Sequence, residues 1–183
     1  MDEIIIELKK RINALAEGIR QGIIKEEDVD AEVLKIIEVA VELYKRDDIN
    51  LIMPLNNGGP LLFQEYGKYY VPVYTCKEEI KECTATEYKK ASFSDVCDYV
   101  DFNITSFELL DNPEEARNKG IDINEIRNYA ADHPRLTGVM LDPESDDLFS
   151  FDGWILKAVI YKGMGADTFE AFDAKTGESK HKV

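Results

Sequence analysis

The chain has 183 residues, with 22 Lys and Arg against 37 Asp and Glu, a formal net charge of −15. That balance argues against sequence-independent nucleic-acid binding, which needs clustered cations to displace counterions from phosphates, and against docking on an anionic membrane surface. Hydrophobic residues make up 44%, enough for the core of one domain, and no stretch approaches the ~20 apolar residues of a membrane span.

The start is acidic (Asp2, Glu3) and then apolar only over Ile4–Ile6. That is not the basic start and long apolar run of a signal peptide. Ile5, Leu8, Ile12, Leu15 and Ile19 recur at helical spacing and predict a first helix that ends near Gly22. The acidic stretch Glu26–Asp28 suits the start of a second helix, with Val33, Ile36, Ile37, Ala40, Val41 and Tyr44 on its inner face. Asn50–Pro54 then reads as a short strand and Asn56–Pro60 as a loop. Leu61–Glu65 and Tyr69–Tyr74 read as a hairpin turned at Tyr66-Gly67-Lys68. Pro72 has no N–H to donate, so it needs an edge or a position where that side is unpaired.

Thr75-Cys76-Lys77-Glu78 has capping-box spacing and predicts a short helix to about Glu82. Ser92–Asp95 repeats that logic ahead of Val96, Cys97, Tyr99 and Val100. Residues 103–121 read as polar and irregular, and a helix from Asp122 to about Asp132 follows. Gly138–Leu141 and Leu148–Phe151 are short strands, Trp154–Tyr161 is a helix capped by Asp152, and Asp167–Asp173 is a last strand. Strands and helices mix without strict βαβ alternation, so the expected class is α+β: a mixed β-sheet packed with helices behind an N-terminal helical pair. The expected organisation is one domain, with a helical region at 1–48, the α+β core at 49–173 and a flexible tail at 174–183.

Asp142-Pro143-Glu144-Ser145-Asp146-Asp147 holds four acids in six residues, and alternate positions are acidic as in a calcium loop. The template then fails, with Asp147 where glycine is needed and Gly153 where a bidentate Glu is needed. A tight polar turn is the better reading. His133 sits at a helix end, where an imidazolium suits the last carbonyls, and His181 lies in the tail. Cys76, Cys83 and Cys97 match no zinc spacing, and their odd number fits reduced thiols in a cytoplasm. No catalytic, cofactor-binding or metal-ligating set is assigned. Tyr66, Tyr69, Tyr70 and Tyr74 crowd one hairpin, and tyrosines supply rigid contact area at protein interfaces. They form the expected binding surface together with Asp142, Glu144, Asp146 and Asp147.

Two strings carry a family resemblance. Gly67-Lys68-Tyr69-Tyr70-Val71-Pro72-Val73-Tyr74-Thr75, followed by Glu78-Glu79, resembles the strand of SseB-like domains that leads into an acidic helix start. Gly138-Val139-Met140-Leu141-Asp142-Pro143, then Asp147–Ser150 and a helix, resembles that family's second hallmark, in which asparagine usually stands at the position of Asp142. The similarity covers about residues 30–162, and the stretch 103–121 departs from the pattern. It implies a small bacterial α+β module without catalytic residues. The expected role is a non-enzymatic, cytoplasmic protein-interaction domain with a basic protein partner, one version being immunity to a basic toxin. The alternative is a small-ligand binder or enzyme whose pocket is assembled from scattered residues.

Overall fold

The computed structural model describes residues 1–146, 148–172 and 179–182. The fold is α+β, with an N-terminal helical pair and mixed and antiparallel sheets. Helix α1 (Glu3–Arg20) starts on Asp2, whose carboxylate accepts from the Ile4 amide at 3.0 Å. Its buried face is Ile5, Leu8, Ile12 and Leu15, but the fifth position differs from the sequence reading. Ile19 is 49% exposed and Gly18 is buried instead. The chain doubles back after α1, so that the Ile23 and Ile24 amides both donate to the Gly18 carbonyl. A Cβ on Gly18 would stand 2.3 Å from the Ile24 side chain.

Glu26–Asp28 forms a 3-10 turn that leads into α2 (Val29–Tyr44), which packs on α1 and buries the expected face. Strand β1 (Asn50–Asn56) runs on past Pro54, and Gly59–Pro60 pairs with it as β2. The expected loop at 56–60 is therefore a hairpin. Asn57 and Gly58 have φ of 51° and 82°, the left-handed pair that a two-residue turn requires and that Asn-Gly supplies most readily. Strands β3 (Phe63–Glu65) and β4 (Lys68–Val73) form the second hairpin, turned at Tyr66-Gly67.

Thr75–Glu82 does not form the expected capped helix. Only a 3-10 turn at Lys77–Glu79 is present, and Thr75 is engaged elsewhere. Strand β5 (Glu87–Ser92), missed in the sequence because Lys89-Lys90 breaks the alternation, pairs antiparallel with β1. Helix α3 (Phe93–Asp111) is capped by Ser92, whose hydroxyl accepts from the Asp95 amide at 3.1 Å. It runs through half of the stretch expected to be irregular, and α4 (Pro113–Asn118) takes up more of it. The polar residues that suggested a loop are satisfied inside the protein. Asn103 is 1% exposed, accepts from the Leu136 amide at 2.8 Å and donates to the Tyr129 hydroxyl and the Pro134 carbonyl.

Helix α5 (Ile123–Asp132) is capped by Asp122 and stops at His133 as expected. Strands β6 (Leu136–Leu141) and β7 (Phe149–Asp152) follow, and then α6 (Gly153–Gly163). Strand β8 (Glu170–Phe172) pairs with β9 (Ser179–Lys182), so part of the expected tail, including the backbone of His181, lies in a strand.

The sheet order is β3-β4-β6-β7, with β4 and β6 parallel, and β2-β1-β5 forms the other ladder. Ile52 and Tyr74 exchange two backbone hydrogen bonds, at 2.9 and 2.8 Å, and join the two ladders. Pro72 fits this layout. On the side away from β6, β3 covers β4 only at 68–70 and β1 meets it only at Tyr74, so Pro72 falls in the gap. The main core lies between the sheet and α1, α2, α3 and α6, with Leu51, Val71, Val73, Val139, Phe93 and Phe151 at its centre. Among the described residues no helix is long and apolar enough to cross a membrane.

Candidate interaction surface and the polar latch beneath it

Strands β4 and β6 run parallel and leave the sheet at the same end, with Val73 beside Leu141. The next residues meet there. The Asp142 amide donates to the Val73 carbonyl at 2.9 Å, and Asp142 takes a φ of 45°, a region that Asp and Asn tolerate better than other side chains. Its carboxylate turns inward, leaving the residue 2% exposed. Oδ1 accepts from the Thr75 amide and Oδ2 from the Thr75 hydroxyl, both at 2.8 Å. Lys9 reaches over from α1 and places Nζ 3.1 Å from Oδ2, pairing also with Glu79. Burial alone would lower the Lys9 pKa, but the Glu79 hydrogen bond and the Asp142 charge outweigh it and raise it. The cluster is a latch that ties α1 to the carboxyl ends of the two parallel strands.

Glu144 is also engaged internally. It accepts from the Tyr74 hydroxyl at 2.9 Å, from the Glu82 amide at 2.6 Å and from the Lys81 amide, while Lys81 Nζ donates to its carbonyl at 3.1 Å. Burial would raise this carboxyl, but the Glu82 and Lys81 amides and the Tyr74 hydroxyl hold it below the usual glutamate value. The turn at 142–146 thus anchors the connection that follows β4.

These contacts correct the expected binding surface. Tyr74 is 2% exposed, its hydroxyl spent on Glu144 with Cys83 alongside, and burial pushes its pKa well up. Tyr70 is 5% exposed, and burial together with Asp152, 3.2 Å away, pushes its hydroxyl up to about 12. Asp152, expected to cap α6, makes no cap bond with its side chain. Tyr70, Tyr74 and Asp142 are therefore interior residues, and Glu144 is half-buried and fully bonded. Tyr69 is half-buried against the core, Asp146 is exposed, and Asp147 lies outside the described residues. Tyr66 alone of the four tyrosines stands free, 95% exposed.

Sequence reasoning missed Lys9, Thr75 and Glu79. Thr75 reads only as a helix cap and as the end of the first family-like string, and Lys9 has no reading at all. Nothing local marks either as a partner of residue 142, because the latch depends on β4 and β6 being neighbours. Among the described residues no group of three or more His, Cys, Asp or Glu side chains is placed to hold a metal. His133 sits with Nδ1 2.8 Å from the Tyr129 carbonyl, its ring stacked on Tyr129 at 4.2 Å. Cys97 is buried, with its thiol pKa pushed up by that burial, while Cys76 and Cys83 are half-buried and free. A concavity of about 810 Å³ lies where α3, α6 and the approach to β8 meet, with Trp154, Tyr161, Phe169 and the Lys157–Glu108 pair in its walls. No family model, curated protein or solved structure matches the chain.

Proposed function

We propose that this chain is a non-enzymatic protein-interaction module of the SseB-like type, which docks a protein partner through the tip of the β3–β4 hairpin. The observation that carries the reading is Tyr66. It is 95% exposed and holds a φ of 47° beside Gly67 at 77°. A turn with both central residues left-handed favours Asn-Gly or Asp-Gly, and a side chain such as tyrosine there costs about 1–2 kcal/mol. The exposed ring recovers none of that through burial. A strained, exposed aromatic at a hairpin tip has the character of a binding anchor.

The placement of the two family-like strings supports the SseB-like part. They fall on β4 and β6, neighbours in parallel register. A Cβ on Gly138 would stand 2.3 Å from the Phe151 carbonyl, so that position calls for glycine. Residue 142 has a φ of 45°, which accounts for Asp or Asn at one place. A basic partner fits the net charge of −15, which accelerates encounter with positive proteins.

The test is a photo-reactive phenylalanine analogue at position 66, activated in the organism of origin, with the exposed position Lys25 as control. A discrete adduct from position 66 alone is expected. The captured partner, purified, should bind Tyr66→Ala at least about tenfold more weakly than wild type, with its association slowed by salt. A partner that binds Tyr66→Ala as tightly as wild type would sink the proposal.

A further inference from the structure

The connection from β4 to β5 lies beside the outer face of the β1–β5 pair and borders an open concavity of about 540 Å³, lined by Ile52, Lys77, Ile80, Tyr88, Lys89 and Lys90. Ile52 and Lys90 are direct cross-strand partners, so their side chains share a face, and Tyr88 joins them two residues away. Leu51 and Ala91 point the other way, into the core. Lys89 alternates with Lys90 and also borders the concavity near Met53, Asp95 and Tyr99, so Lys77 and Lys90 are the cations that decide the matter.

The charge at this place runs against the rest of the molecule. Carboxylates outnumber cations 37 to 22 in the chain, yet Lys77, Lys89 and Lys90 take no ion pair among the described residues. Around Lys77, Glu79 is held by Lys9 and Glu144 by two backbone amides and Tyr74, while Glu78 bonds with its own backbone and Cys76 and also feels the Lys77 charge. Edge strands often carry one lysine to discourage pairing with another chain. That accounts for a lysine on β5 but not for Lys77, which arrives from a separate segment onto the same hollow.

We propose that this concavity binds a small organic anion, a phosphate monoester or a carboxylate with a flat or apolar body. The anionic group sits between the Lys77 and Lys90 ammonium groups, and the body lies against Tyr88, Ile52 and Ile80. The proposal does not rest on the hairpin reading. It involves other residues, and Tyr66→Ala leaves it intact.

The probe is phenyl phosphate, titrated into the isotopically labelled full chain while backbone amide resonances are followed. Saturable shifts confined to residues around Ile52, Lys77–Ile80 and Tyr88–Lys90 are expected, with a Kd on the order of 1 mM or tighter. Phenol should bind more weakly because it lacks the charge, and inorganic phosphate more weakly because it lacks the ring. The double variant Lys77→Glu/Lys90→Glu should lose affinity at least about tenfold. Its remaining resonances report whether the fold is intact, and Lys77→Gln/Lys90→Gln provides the milder second test. Shifts scattered over exposed lysines, equal binding of phenol, or affinity unchanged in both double variants would each overturn the assignment.

Discussion

Replacing Asp142 is the most direct test of the latch. At 3.1 Å the Lys9–Asp142 attraction is roughly 5 kcal/mol at an effective dielectric near 20, before desolvation is subtracted. Asp142→Asn keeps the shape, tolerates the φ of 45° and can still accept from the Thr75 amide. It leaves Lys9 with Glu79, so the expected loss is about 2 kcal/mol, less than the 3–5 of a fully stranded buried charge. Asp142→Ala also strands the Thr75 amide and hydroxyl and places alanine at a left-handed position. Two lost charge-assisted hydrogen bonds and about 1 kcal/mol of backbone strain bring the expected loss to about 4–5 kcal/mol. A domain of ordinary stability, about 5–15 kcal/mol, would be brought close to unfolding.

Urea unfolding measures both losses, provided the slope of free energy against denaturant stays constant. Adding Lys9→Met, alone and with Asp142→Asn, completes a double-mutant cycle. The expected coupling is about 1.5–3 kcal/mol, the upper range for residues that touch. If Asp142→Asn unfolds within about 0.5 kcal/mol of wild type and the coupling is near zero, the ion pair does not hold α1 to the sheet.

Three further outcomes follow from the same geometry. Gly138→Ala drives a Cβ to 2.3 Å from the Phe151 carbonyl, so β6 and β7 must separate, and a loss of about 1–3 kcal/mol is expected in the same urea assay. Tyr66→Asn should raise stability by about 1 kcal/mol while abolishing partner capture, because it relieves the strain and removes the ring. At high pH the fold should weaken. Burial and Asp152 raise the Tyr70 hydroxyl to about 12, against an ordinary value near 10, so its contribution is full below about pH 10 and is lost as pH rises toward 12. Tyr74 and Lys9 are shifted in the same direction, and in difference spectra against Tyr70→Phe the tyrosinate absorbance of Tyr70 should rise together with unfolding rather than ahead of it.

Where a signal is local, the sequence predicts the fold closely. The buried face of α2, the Ser92 and Asp122 caps and the Tyr66-Gly67 turn each depend on a few adjacent residues. Long-range partners mislead it. Asn103 and Ser106 read as loop-formers because polar side chains in a helix usually face water. The partners of Asn103, the Leu136 amide, the Pro134 carbonyl and the Tyr129 hydroxyl, lie roughly thirty residues on, whereas the Ser106 hydroxyl donates to the Phe102 carbonyl one turn back. Thr75 read as a cap because Glu78 stood at the right spacing, but Asp142, 67 positions away, takes both its amide and its hydroxyl. The tyrosine hairpin has the expected shape, but Tyr70 to Val73 are buried in an unbroken run rather than alternately, which depends on what covers both faces of β4.

The net charge is best judged by where its acids are engaged. Asp2 and Asp122 cap helices, Asp48 forks onto Arg46, Asp98 and Asp152 take tyrosine hydroxyls, and Asp142 and Glu144 close the latch. Charge count alone therefore overstates the acid available to a partner, although its long-range sign remains. The two proposed ligands should feel that sign differently. A basic protein approaching Tyr66 is drawn by the whole field, so its association rate should fall steeply as salt shortens the screening length to about 8 Å at physiological ionic strength. A small anion in contact with Lys77 and Lys90 is attracted within that length and repelled from beyond it. Added salt removes the repulsion first, so anion affinity should hold steady or rise over the range in which protein association slows. An anion affinity that falls as steeply as the association rate would mean that the acidic field does not reach the lysine hollow.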